Sequence, residues 1–189
     1  MSQASMFSVI WPIADLLRGD YKASEYGKVI LPFTVLRRLD CVLAPTKEIV
    51  LAEKAAREAA GLNPEPFLLR ASGLKFVNTS PLDMKKLMGD QDNLATNLTA
   101  YIQGFSPAVR DIFDRFRFAE QIERLRKAEL LYLVTQRFTN FDMNPAVVSN
   151  HDMGLVFENL IRRFAEISNE TAGEHYTPRE VIKLGSVVI

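Results

Sequence analysis

Between Ser149 and Ile167 the apolar residues fall at Met153, Phe157, Leu160, Ile161, Phe164 and Ile167. Steps of three and four put them on one stripe of an α-helix. Ser149 precedes the stripe and can accept a hydrogen bond from an unpaired backbone N–H of the first turn. A helix with one apolar stripe must bury it, so this segment predicts a core helix packed against other elements.

Nearly every other periodic stretch is helical as well. Trp11, Ile13, Ala14, Leu16 and Leu17 lead into Gly19, a C-terminal cap, with Pro12 in the first turn. Ser24 is expected to cap a helix striped by Tyr26, Val29, Ile30, Phe33, Leu36, Leu39 and Leu43. Pro32 is expected to kink it, and Pro45 to end it or kink it again. Lys47 to Ala60 is charged, Ala-rich and strongly helix-forming. Gly61 to Pro81 holds Pro64, Pro66 and Pro81 and reads as a loop, with a short helix or strand around Leu74 to Val77. Further helices are expected at Asp83–Leu87, Asn93–Gln103, Pro107–Phe116 capped by Ser106, Phe118–Leu125 and Ala128–Phe138. The predicted fold class is all-α, a helical bundle with kinked helices and one Pro-rich connection.

Composition narrows the function classes. The chain has 189 residues and 48% hydrophobic content, enough for a real core. Lys+Arg and Asp+Glu both number 23, so the formal net charge is zero. That argues against a free-standing nucleic-acid binder but leaves room for a local basic face. The single cysteine, Cys41, has no internal disulfide partner, which fits a reducing cytoplasm, and it is expected in the core. No apolar run is long enough to span a bilayer. The first Lys or Arg is Arg18, so the N-terminus lacks the basic start of a secretory signal.

Several chemistries find no support. No two of the nine glycines have G-x-G spacing, which excludes a Gly-rich phosphate loop. His151, His175 and Cys41 match no zinc spacing. His151 is expected to be partly exposed in the first turn of the long helix. The doublets Arg37-Arg38, Lys85-Lys86 and Arg162-Arg163 are able to touch phosphates, but each also fits the solvated face of an amphipathic helix. The denser cluster Arg115, Arg117, Arg124, Arg126 and Lys127 is interleaved with Asp111, Asp114, Glu120, Glu123 and Glu129.

The stretch GEHYTPREV, Gly173 to Val181, reads as a helix start. Thr177 can cap it, Pro178 fits the first helical position, and Glu180 can reach back to the Thr177 N–H. Val181, Ile182, Leu184, Val187, Val188 and Ile189 follow and need a surface to bury them.

ADLLRGDYKASEYGKVILPFTVLRRLD, Ala14 to Asp40, resembles the N-terminal helical region of modification subunits of type I restriction-modification systems. NHDMGLVFENLIRRFAE and AGEHYTPREVIKL resemble the end of that region and the start of its methyltransferase domain. The resemblance implies a DNA adenine-N6 methyltransferase that uses S-adenosylmethionine. It implies a complex with a specificity subunit, a second modification subunit and a restriction subunit, acting on DNA. By resemblance, Glu174, His175, Tyr176, Thr177, Pro178 and Arg179 are the cofactor-binding residues. A helix N-terminus suits the carboxylate end of such a cofactor, because its N–H groups are unpaired and carry partial positive charge.

The family's Gly-rich cofactor loop and its Asn-Pro-Pro-aromatic catalytic motif do not occur in these residues, and NPEPF, Asn63 to Phe67, is broken by Glu65. The expectation is therefore an N-terminal part of a larger subunit, inactive alone. Residues 1–170 would be the N-terminal helical domain. Residues 171–189 would be the linker and first helix of the missing α/β methyltransferase domain. Two rivals remain at this level: a stand-alone helical interaction module, and a helix-turn-helix DNA binder, which needs a short helix pair with a basic recognition face.

Overall fold

The computed structural model describes residues 3–170. Eleven α-helices follow one another among them: α1 Gln3–Ile10, α2 Ile13–Leu17, α3 Tyr26–Leu43, α4 Lys47–Ala59, α5 Glu65–Ser72, α6 Met84–Leu87, α7 Leu94–Gln103, α8 Pro107–Arg115, α9 Phe118–Lys127, α10 Leu131–Thr139 and α11 Asn150–Glu170. The described residues form no strand, only isolated bridges such as Asn78 with Phe105. The all-α expectation holds.

Helix α3 is the central rod. Its stripe residues Val29, Ile30, Phe33, Leu36, Leu39 and Leu43 are buried, and so are Leu31, Val35 and Cys41 on other sides. A helix apolar on most sides must be surrounded, and α2, α9, α10 and α11 all pack on it. Phe33 meets Phe118 edge-on at 5.0 Å and stacks on Phe138 at 5.3 Å, tying α3 to α9 and α10. The helix runs through Pro32 without a break in its assignment and ends in a 3-10 turn at Ala44–Thr46, where Pro45 sits.

The long helix α11 buries Met153, Phe157, Leu160 and Phe164, with Ile161 and Ile167 packed partly buried beside them. The expected stripe is a core stripe. Ser149 caps it as anticipated: its Oγ accepts from the Asp152 N–H at 3.1 Å and donates to the Asp152 carboxylate at 2.8 Å. Trp11 stacks on Phe164 at 5.5 Å and seats α11 against the start of the chain.

Four local expectations are corrected, and one helix is added. Helix α1 is an addition to the expected elements; Met6 and Ile10, four residues apart, are fully buried. Ser24 does not cap α3 but lies inside a 3-10 turn, Ala23–Glu25. The Pro-rich loop contains helix α5, because Pro64 and Pro66 occupy its first turn, where missing N–H groups cost nothing. Ser106 stands at the start of α8 without capping it, since its hydroxyl accepts from the Val77 N–H at 2.9 Å. Finally, α10 begins at Leu131 and not at Ala128. Glu129, at φ 60, ends α9 in a left-handed turn with Leu130 N–H bonded back to Leu125 at 2.9 Å.

Candidate functional site

The sequence Leu36-Arg37-Arg38-Leu39-Asp40 on the last turns of α3 organises two adjoining features. The doublet Arg37-Arg38 is neither a solvated face nor a free phosphate contact. Arg38 is fully buried, at 0% exposure. Its guanidinium donates to the carbonyls of Met143 and Val148 at 2.6 and 2.8 Å and to the Asn150 side-chain oxygen at 2.7 Å. Burial pushes its pKa down. Neutral acceptors replace the water that a buried cation would otherwise lose at large cost. Arg37 donates to the Phe141 carbonyl at 2.7 Å and to the Asp40 carboxylate at 2.7 Å. Cys41 is buried as expected, and burial pushes its thiol up. Together Arg37 and Arg38 bind the segment that joins α10 to α11 at Phe141, Met143, Val148 and Asn150.

Asp40 turns the other way, toward α6 and α7. Its carboxylate also accepts from the Tyr101 hydroxyl at 2.6 Å and the Met84 N–H at 3.1 Å. Burial first, then the Asp40 charge, push the Tyr101 phenol well above its ordinary pKa, so it stays a proton donor. Beside this network lies a pocket of about 490 Å³, bounded by α3, the start of α4, α6 and the end of α10. Arg37, Lys47, Lys85 and Lys86 line it, opposed by Asp40, Glu48 and Asp83. Asp40 is already held by Arg37. The Lys47 ammonium touches a neutral amide, Asn78 Oδ1, at 3.4 Å and lies 5.4 Å from the centre of the Tyr101 ring. Burial pulls its pKa down to about 8, against the opposing pull of Asp40 and Asp83. Lys86 donates to the Pro81 carbonyl at 3.1 Å.

The dense basic cluster and the Arg162-Arg163 doublet are spent locally. Arg115, Arg117 and Arg126 pair with Asp111, Glu120 and Glu123, Lys127 shares Glu123, and Arg124 binds Glu25 at 3.0 Å across the bundle. Arg163 pairs with Glu166 and lies over the Trp11 ring, and Arg162 bonds to Asn159. His151 is exposed. Among the described residues no three His, Cys, Asp or Glu side chains are placed to hold a metal ion. No described helix is long and apolar enough to cross a membrane. Glu174, His175, Tyr176, Thr177, Pro178 and Arg179 lie outside the described residues. Sequence reasoning named Arg38 only as half of a surface doublet and missed Asp40, Lys47 and Tyr101; the one signal for Arg38 and Asp40 was a charged R-R-x-D run inside an otherwise apolar helix, and Lys47 and Tyr101 gave none.

The described residues thus form a helical bundle that clasps the start of a long last helix, with a lysine-lined pocket beside the clasp. The chain belongs to the HsdM N-terminal domain family, the N-terminal domain of the type I restriction-modification M subunit, whose model matches residues 6–138. A second model, N-6 DNA Methylase, matches residues 148–189. Only a small part of that methylase domain is present, and the domain implies S-adenosylmethionine as methyl donor in the parent enzyme. A search of curated proteins finds no match.

Proposed function

We propose that this chain is the assembly and DNA-clamping part of a type I modification subunit, whose complete form methylates adenine N6 at a specific site. Residues 1–170 act as the N-terminal helical domain; α11 supports this by packing into the bundle on α1 and α3, although the methylase match already starts at 148. Residues 171–189 form the linker and first helix of the methyltransferase domain. Within them Glu174, His175, Tyr176, Thr177, Pro178 and Arg179 begin the S-adenosylmethionine site. The Thr177-Pro178 helix start supplies N–H groups for the cofactor carboxylate. The specificity subunit, a second modification subunit and the restriction subunit are the partners, in the cytoplasm.

The observation that carries the DNA role is the lysine-lined pocket. Among the described residues, Lys47, Lys85 and Lys86 make no ion pair, whereas the other dense basic cluster is neutralised by its own carboxylates. A backbone phosphate is the anion a DNA-handling domain would receive there. The test is duplex-DNA binding by the complex of modification and specificity subunits over a salt series. Each lost phosphate contact lowers the slope of log K against log salt by about 0.9. Replacing Lys47, Lys85 and Lys86 together by Ala is expected to reduce the slope by about 2 to 3. An unchanged slope would remove this pocket from the DNA path.

A further inference from the structure

We infer that Arg38, with Arg37 beside it, is the latch that fixes the direction in which the methylase module leaves the N-terminal domain. The two family matches end and begin at residues 138 and 148. Every long-range hydrogen bond of the Arg37-Arg38 pair falls on the segment between them or on its far edge: Phe141, Met143, Val148 and Asn150. One rigid, planar guanidinium thus spans both ends of the connection, binding Met143 near its start and Val148 and Asn150 where α11 begins. A lysine has one compact ammonium and cannot reproduce that fork.

The burial of Arg38 makes the arrangement all-or-none. It has no carboxylate within hydrogen-bond reach among the described residues, so only these carbonyls and one amide solvate the charge. Should the segment swing away, a cation would be stranded in the core. Should Arg38 be lost, the Met143 and Val148 carbonyls would lose their donors. Each alternative is costly, so the connection has one favoured geometry. Helix α11 inherits that geometry, because its first residue, Asn150, is a latch partner and its Phe164 is seated against Trp11. The inference rests on the family boundaries and on these hydrogen bonds, and is independent of the DNA-clamping role.

The test reads orientation separately from stability. Spin labels at the exposed positions Ala55 on α4 and Glu166 on α11, introduced as A55C and E166C in the full 189-residue chain, give one narrow distance distribution when the latch is intact. Arg38→Met and Arg38→Lys are expected to broaden it at least twofold. Asn150→Ala removes one acceptor while leaving the core side chains in place, and covers the case in which the Arg38 variants do not fold. It is expected to broaden the distribution to a smaller degree. In parallel, hydrogen exchange at Met143 to Val156 is expected to accelerate at least tenfold more than at Leu98 to Gln103. A distance distribution that stays narrow in Asn150→Ala and in any folded Arg38 variant, or exchange that accelerates equally throughout, would reduce Arg38 to an ordinary stabilising residue and overturn the inference.

Discussion

The Tyr101 hydroxyl donates a 2.6 Å hydrogen bond to the Asp40 carboxylate, joining α7 to α3 across 61 residues of sequence. Both side chains are buried. Asp40 keeps Arg37 and the Met84 N–H as further donors, so Tyr101→Phe removes one bond without stranding the charge. Hydrogen bonds to charged groups contribute about 1.5–3 kcal/mol. Tyr101→Phe is expected to lose about 2 kcal/mol in urea unfolding, with m unchanged. A midpoint equal to that of the parent protein would show that water or another donor replaces the hydroxyl.

Lys47 links stability to pH. Its pKa is about 8 in the folded chain, against an ordinary 10.5. From about pH 8 to 10.5 the unfolded state binds more protons than the folded one, so this group makes stability rise with pH across that window. Below pH 8 the cost of burying the charge is present in full. Lys47→Met is therefore expected to be more stable than the parent at pH 7, and the difference is expected to shrink toward pH 10.5. Paired denaturant titrations at pH 7, 9 and 10 test this. The same variant should bind DNA less well in the assembled complex, because a half-buried lysine kept at a cost in stability suits a functional role.

Two glycines are expected to respond with opposite signs. Gly104 ends α7 with ordinary right-handed dihedrals, so its need for glycine is steric. A Cβ there would lie 2.7 Å from Asn78 Oδ1 and 2.9 Å from the Ser80 backbone nitrogen. The Thr79 N–H also donates to the Gly104 carbonyl at 2.8 Å, which pins the 78–80 segment in place. Gly104→Ala is expected to cost about 2 kcal/mol as overpacking. Gly154 lies within α11 and a Cβ there meets open space. Gly154→Ala is expected to gain about 0.5–1 kcal/mol from helix propensity. Thermal unfolding of the two variants side by side checks both signs.

Glu129 is a non-glycine residue in left-handed backbone, at φ 60, and its side chain is exposed. Such a conformation costs a non-glycine residue about 1–2 kcal/mol. Glu129→Gly is expected to raise stability by about 1 kcal/mol, leaving α9 and α10 unchanged. If stability falls instead, the entropy of the more flexible unfolded chain outweighs the relieved strain.

What was legible in the sequence follows from what each signal depends on. The α11 stripe and its Ser149 cap are local patterns, so Met153 to Phe164 could be read as core directly. Helix α5 hid behind Pro64 and Pro66, since a proline that starts a helix looks like one that marks a turn until the residues beyond it are seen to pack. Glu129 gave no helix-end signal because glycine normally fills that position. The Arg38 site was illegible for a different reason. An arginine reads as exposed, and what buries this one is a set of acceptors more than a hundred positions away.

That separation sets the order in which the domain can be completed during synthesis. The acceptors of Arg38 are Met143, Val148 and Asn150, 105 to 112 residues downstream. While a ribosome is still making α4 to α10, the guanidinium on α3 must stay hydrated, and water must therefore keep a path to the lower half of the central rod. Only when Asn150 has emerged can that path close. The central rod therefore cannot be sealed around Arg38 before the first residue of α11 has been made.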